Sequence, residues 1–221
     1  MHLTRLIRAY DNDVQEQPQP NLLALTDTAK SRADGPERGD AARNRKKILA
    51  CAHNLITNDG VDALTMDRLA HCAGVGKGTI FRRFGSRTGL LLALLDEAEK
   101  QLQHAFISGP PPLGPGAPPQ ERLDAFGAAR LKFLESHGDI QLAAERDSTT
   151  AVSAAPRLLD HTHVTNLLRA AGVTHHPHLL AMSLVASLSA PLVLYQVRAQ
   201  GVTFPELHDS WRFHIECLIR S

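Results

Sequence analysis

The sequence predicts an all-α protein of about nine helices. Apolar residues recur three and four apart along most of the chain, which is the spacing of one helix face. Glycines and prolines fall where those rows stop, so they read as helix ends. No stretch alternates like a strand, and there is no internal repeat. With 221 residues, 43% of them hydrophobic and only 5% aromatic, the chain can bury a sizeable core and divide into two domains.

Residues 1–40 read as a disordered extension. They are rich in Gln, Pro, Asp and Gly around QEQPQP and RADGPERGD, with scattered apolar residues and a short helix near Leu22–Ala29 at most. This stretch serves either as a basic arm or as sequence ahead of the true start. Arg43 to Gly60 is expected to be a helix with Ile48, Ala52 and Leu55 facing inward. Thr65 suits an N-cap, Asp67 adds negative charge to the first turn, and Met66, Leu69, Ala70 and Ala73 form the next apolar row. Gly74 suits the left-handed residue that ends that helix. A following helix from Lys77 to Phe84 turns Ile80 and Phe84 inward and Thr79, Arg82 and Arg83 outward. Two short helices, a tight turn and a basic outer face make a helix-turn-helix, in a domain of three helices. Ser86 then caps a long helix whose row is Leu91, Leu94, Leu95, Ala98 and Leu102.

The segment Gly109–Pro119, GPPPLGPGAPP, holds six prolines and three glycines in eleven residues and reads as a semi-extended connector. Beyond it, helices are expected over Gln120–Glu135, Asp139–Asp147, Ala155–Ala171 and Pro177–Gln200. A last helix, opened by the T-x-x-E capping box of Thr203 and Glu206, runs to about Arg220. The organisation that follows is an extension (1–40), a helix-turn-helix domain (41–104), a connector (105–119) and a helical body (120–221).

The run LTMDRLAHCAGVGKGTIFRRFGSRTGLL, residues 64–91, with the helices that flank it, resembles the N-terminal domain of the tetracycline-repressor (TetR) family of bacterial transcriptional regulators. The likeness covers about residues 43–104. It implies a cytoplasmic, non-enzymatic, ligand-released repressor that binds a palindromic operator as a homodimer, with a C-terminal body for ligand binding and dimerisation. It needs no cofactor. The implied partners are double-stranded DNA, a small-molecule effector of unknown identity and a second copy of the chain, met through the last two helices. The apolar run Leu179–Val197 and the row Trp211, Phe213, Ile215, Leu218 and Ile219 fit that interface. Three departures from the family pattern stand out. Phe81 replaces the usual tyrosine, Gly76 a serine or threonine, and Gly89 an acid.

Charge agrees with a nucleic-acid partner. Ala41 to Leu95 carries nine Lys/Arg against three Asp/Glu, a surplus of six, so the remainder of this +1 chain carries −5. The expected DNA contacts are Arg45, Lys46, Thr65, Gly76, Lys77, Gly78, Thr79, Phe81, Arg82, Arg83 and Arg87. Thr65 and Arg87 are assigned to phosphates, Thr79, Arg82 and Arg83 to the major groove, and Lys77 either to the backbone or to solvent. Arg68 reads as a solvated helix charge. The effector pocket implied by the family is assigned to Phe106, Phe126, Arg130, Phe133, Leu167 and Tyr195.

Other classes are weighed on the same residues. There is no Gly-rich phosphate loop, no G-x-S-x-G and no evident triad, so an enzyme is not expected. Cys51, Cys72 and Cys217 show no metal spacing, and His161, His163, His175, His176 and His178 read as surface histidines rather than metal ligands. No apolar run reaches membrane-spanning length, and the N-terminus lacks a signal pattern. The alternatives are a metal-responsive regulator, an architectural DNA binder and a helical protein-interaction module.

Overall fold

The structure is a computed structural model that describes residues 36–146 and 154–220. Among these residues are nine α-helices and one 3-10 turn. They are α1 (Pro36–Asp59), the 3-10 turn (Val61–Ala63), α2 (Met66–Ala73), α3 (Lys77–Phe84) and α4 (Arg87–Ser108). The body continues with α5 (Pro119–Arg146), α6 (Ala154–Ala170), α7 (Pro177–Ser187), α8 (Ala190–Gln200) and α9 (Phe204–Arg220). Among the described residues, those from Asn44 onward belong to one compact unit. The expected disorder and the short helix near Leu22–Ala29 lie outside the described residues, except that α1 begins at Pro36, ahead of the expected Arg43.

The caps behave as their side chains dictate. Thr65 Oγ1 accepts from the Arg68 amide at 3.2 Å, and Ser86 Oγ accepts from the Gly89 amide at 3.0 Å. Gly74 closes α2 in the left-handed region, with φ 60° and ψ 38°. At α9 the capping box forms in both directions. Thr203 N–H donates to Glu206 Oε2 at 2.8 Å, and the Glu206 amide reaches Thr203 Oγ1 at 3.4 Å. Those bonds hold the Glu206 carboxyl below its ordinary range.

In the head, the buried residues are Ile48, Ala52, Leu64, Leu69, Ala73, Ile80 and Phe84, together with Leu90 and Leu91 from the start of α4. The body core gathers Phe106, Leu123, Phe126, Leu134, Ile140, Val164, Leu168, Trp211 and Ile215. Each such large side chain contributes about 1.5–3 kcal/mol relative to exposure. α5 is the central element, packed against α4, α6, α8 and α9.

Three sequence expectations change. First, α5 runs unbroken through Gly138, where two helices were expected. The glycine is there for approach: a Cβ on it would lie 2.9 Å from Leu194 Cδ1. Second, the single helix expected over Pro177–Gln200 is two, bent by 45° at a short break. Pro191 in the first turn of α8 has no N–H to give, and its ring would clash with the carbonyl four residues back in a continuous helix. Third, the connector is folded rather than semi-extended. The Gly114 amide donates to Pro110 O at 2.9 Å, and Arg122 Nη2 clasps the Phe106 carbonyl at 3.1 Å. Among the described residues no single helix is long and apolar enough to cross a membrane.

Candidate nucleic-acid interface

The second helix of the motif, α3, is built as an amphipathic rod. Ile80 and Phe84 are buried, which turns Arg82, Arg83 and Phe81 outward, and Thr79 is half-buried beside them. Phe81 is 42% exposed, a large apolar ring only partly covered by protein. Gly76 caps α3 with no side-chain bond, and at both Gly76 and Gly78 a Cβ would meet nothing within 4 Å. The two glycines are therefore not required by packing inside the protein. They leave the α3 entry bare, which suits close approach of another backbone.

The remaining expected contacts occupy more specific places. Lys77 Nζ pairs with Asp67 Oδ1 at 2.8 Å, which ties the start of α3 to the first turn of α2. Thr65 uses its oxygen as a cap acceptor and keeps its hydroxyl proton for another partner. Lys46 is exposed, whereas Arg45 is half-buried with its guanidinium carbon 5.6 Å from the centre of the Phe84 ring. Arg68 is not merely solvated: it pairs with Asp59 and donates to the Ala63 carbonyl at 3.2 Å.

Arg87 departs most from its expected role. It is half-buried, with Nε donating to Leu64 O at 3.1 Å and Nη2 to Val61 O at 2.7 Å. The Val61 carbonyl already accepts the Leu64 amide at 3.2 Å and gains a second, charged donor here, so the guanidinium braces the turn from within. A phosphate contact would have to come from its other donors.

Of the residues assigned to an effector pocket, Phe106, Phe126, Arg130, Phe133 and Leu167 are buried in the body. Phe106 and Phe126 rings meet edge to face at 5.5 Å, and Phe133 lies under the Arg130 guanidinium at 4.6 Å. Leu167 is buried on α6. Tyr195 is the exception. It is 58% exposed on the outer side of α8, because Val193 and Leu194 take that helix's inward positions.

Glu99, Asp160 and His163 also belong to this region and were not assigned to it from the sequence. Arg130 Nη1 donates to Glu99 Oε1 at 2.6 Å, and its Nε lies 3.6 Å from Asp160 Oδ2. All three side chains are at least nine-tenths buried. His163, expected at the surface, instead stacks on Phe106 at 4.4 Å and lies 5.5 Å from Phe126. A signal was present. Glu99 continues the row Leu91–Leu95, and Asp160 heads the row Val164–Leu167, so each is an acid in an apolar row. Burial raises the Asp160 carboxyl to about 6, against the pull of Arg130 and with the push of Glu99. Burial also lowers His163 to about 4, helped by Arg122.

The other histidines of the set adjoin one another, with the His175 and His176 rings 4.4 Å apart and those of His176 and His178 6.2 Å apart. His161 Nε2 contacts the His178 carbonyl at 2.7 Å, and among the described residues no three His, Cys, Asp or Glu converge on a metal site.

Comparisons with known proteins agree with this architecture. Residues 48–94 match the model for bacterial regulatory proteins of the tetR family. An HTH-type transcriptional regulator of Staphylococcus aureus (strain USA300) is 40% identical over 53 residues, 24% of this chain and 29% of that protein. The chain thus matches less than a third of the length of these curated relatives. The fold extends further. A transcriptional regulator from Rhodococcus sp. Rha1 superposes with TM-score 0.62 at 16% identity, covering 80% of this chain and 96% of the other. A TetR-family regulator from Pectobacterium atrosepticum gives TM-score 0.61 at 21% identity, covering 83% and 95%. Residues 48–94 thus form a helix-turn-helix domain of the kind carried by the tetR family of bacterial regulatory proteins, and the similarity of the rest of the chain is one of fold.

Proposed function

We propose that this chain is a transcriptional regulator that reads a palindromic DNA operator as a homodimer and releases it when a small ligand enters the body. The observation that carries this reading is the outer face of α3. Arg82 and Arg83 stand exposed beside Phe81 and Thr79, on a helix held by buried Ile80 and Phe84 and opened by two bare glycines. An arginine at a major-groove edge can donate two bonds to guanine O6 and N7. The Phe81 ring, lacking a hydroxyl, supplies apolar contact to sugar or thymine methyl. Lys46 and the Thr65 hydroxyl supply backbone contacts that fix register.

The dimer reading rests on apolar surface without cover in one chain. Leu192 and Tyr195 on α8, and Phe213 on α9, are 42%, 58% and 65% exposed. A second copy about a two-fold axis would bury them and set two α3 helices at successive turns of the duplex. The ligand reading rests on the body cluster around Arg130, joined to the head by α4. Repression is the family's default sign.

Selection of bound duplexes from a random pool, followed by footprinting of the purified chain, tests the reading. One short palindrome should be enriched, with affinity falling steeply as salt rises. Equal affinity for all duplexes would favour an architectural binder, and no affinity at all a protein-interaction module.

A further inference from the structure

We infer that the buried cluster of Glu99, Arg130 and Asp160, with the rings of Phe106, Phe126, Phe133 and His163, is a binding site for a small organic cation, an ammonium group on an apolar or aromatic body. The inference deepens the ligand-responsive reading by naming the chemistry of the ligand, and only its consequence at DNA rests on that reading.

Charge count comes first. One guanidinium faces two carboxylates, from α4, α5 and α6, all in the protein interior. Arg130 leaves one negative charge over when both carboxylates are ionised. Satisfaction comes second. Glu99 Oε2 and Asp160 Oδ1 are buried and have no hydrogen-bond partner, and neither does His163 Nε2, one turn along α6 from Asp160. Buried carboxylate oxygens demand donors, and the cluster is short of donors, not acceptors. An ammonium group brings both the missing charge and up to three N–H donors.

Shape comes third. Phe126 is one turn before Arg130 on α5, and its ring meets Phe106 and His163. Phe133 already holds a cation over its face, the Arg130 guanidinium itself. Ring faces of this kind attract cations and cover apolar bodies. An anionic ligand would meet two carboxylates first, and Arg130 is already engaged by both. The cluster is closed in this structure, with Asp160 1% exposed, so entry requires α6 to part from α4 and α5. That motion would act on α4, the helix whose first residue braces the head.

Calorimetry on the full-length chain tests the site without any DNA. Phenethylamine and benzyltrimethylammonium are the cationic probes, and phenylacetate and 2-phenylethanol the anionic and neutral counterparts. At least one cation should bind saturably, about tenfold or more tighter than both counterparts. Its affinity should fall as pH is lowered through about 6, where Asp160 takes up a proton. The charges acting on that carboxyl are Arg130 and Glu99; His163 lies one turn along α6 with Arg122 acting on its imidazole, and His137 lies beside Phe133 on α5. Asp160→Asn and Glu99→Gln should each weaken cation binding about tenfold or more. Phenylacetate binding as tightly as the cations, no saturable cation binding, or unchanged affinity in both folded variants would overturn the site. A variant that does not fold leaves the wild-type ranking and pH profile to decide. If the cation binds at the cluster yet leaves operator affinity unchanged, the site stands and ligand release of DNA fails.

Discussion

Arg87 donates its Nε proton to the carbonyl of Leu64 across 3.1 Å, so the first residue of α4 holds the turn that precedes α2. Its second bond, to Val61 O at 2.7 Å, anchors the same turn from one residue. The long helix that carries Glu99 and Phe106 in the body is thereby fastened to the head at its other end. Removing this fork leaves two carbonyls short of a charged donor. Arg87→Ala should lower unfolding free energy by about 1–3 kcal/mol and weaken all duplexes alike. Arg87→Lys should restore only part, because a point charge cannot span both carbonyls. Urea unfolding alongside duplex titrations checks this. A variant with full stability but lost affinity would return the guanidinium to a phosphate.

Arg82 and Arg83 lie outside that frame, and their loss should leave the fold intact. One of the two should read a base edge, and its change to alanine should relax preference at one operator position by about 1–3 kcal/mol. The other should weaken binding evenly across sequences and reduce the salt slope by about one. Competition between single-base operator variants at several salt concentrations separates the two roles. Both variants behaving as the parent would remove α3 from the interface.

Local rules make the head legible in the sequence. Caps at Thr65 and Ser86, the left-handed Gly74 and the inward pair Ile80 and Phe84 each follow from short-range chemistry within one turn. What stayed hidden depends on partners distant in sequence. Gly138 reads as a helix stop until Leu194 is placed against it. Arg87 reads as a surface base until the Leu64 and Val61 carbonyls arrive. His163 reads as exposed until Phe106 and Phe126 close over it. Tyr195 is a candidate for the cavity that the resemblance implies, but which side of its largely apolar helix faces inward is set by packing onto α5.

Gly127 and Trp211 show how strictly such packing can act. A Cβ on Gly127 would lie 2.2 Å from the indole Nε1 of Trp211, which donates to the Leu123 carbonyl at 2.9 Å. The wide, flat indole cannot retreat without breaking that bond. Gly127→Ala should therefore cost about 1–3 kcal/mol despite a gain in helix propensity. Trp211→Phe should lose the hydrogen bond and part of the packing. Thermal and denaturant midpoints measure both, and a stabilised Gly127→Ala variant would contradict the close contact.

The exposed apolar residues of α8 and α9 give a separable test of assembly. Phe213→Glu and Tyr195→Glu place charge where a second copy would bury apolar area, at positions that contribute little to the core of one chain. Each variant should sediment as a folded monomer and lose most operator affinity, because a single head makes half of the contacts. Sedimentation velocity and circular dichroism check this together. Dimers of unchanged strength in both variants would move the interface to another face.

The body cluster also sets how stability responds to acid. Asp160 is raised from 3.8 to about 6 by burial, with Arg130 opposing and Glu99 adding to the shift. Between those values the folded chain holds a proton that the unfolded chain releases, so this group makes stability fall as pH rises. His163 is lowered from 6.5 to about 4 by burial and by Arg122. Between those values the unfolded chain takes up a proton that the folded chain refuses, so this group makes stability fall as pH falls. His137, lowered by its own burial, acts in the same sense as His163. The opposed slopes overlap between about 4 and 6, and the parent should show a shallow profile there. Asp160→Asn removes one side of the balance, so stability should drop more steeply on acidification from pH 6.5. His163→Gln removes the larger part of the other, so the loss on acidification should shrink or reverse. Thermal midpoints of all three across this window decide the matter. Parallel profiles would mean that neither group changes its proton affinity on folding.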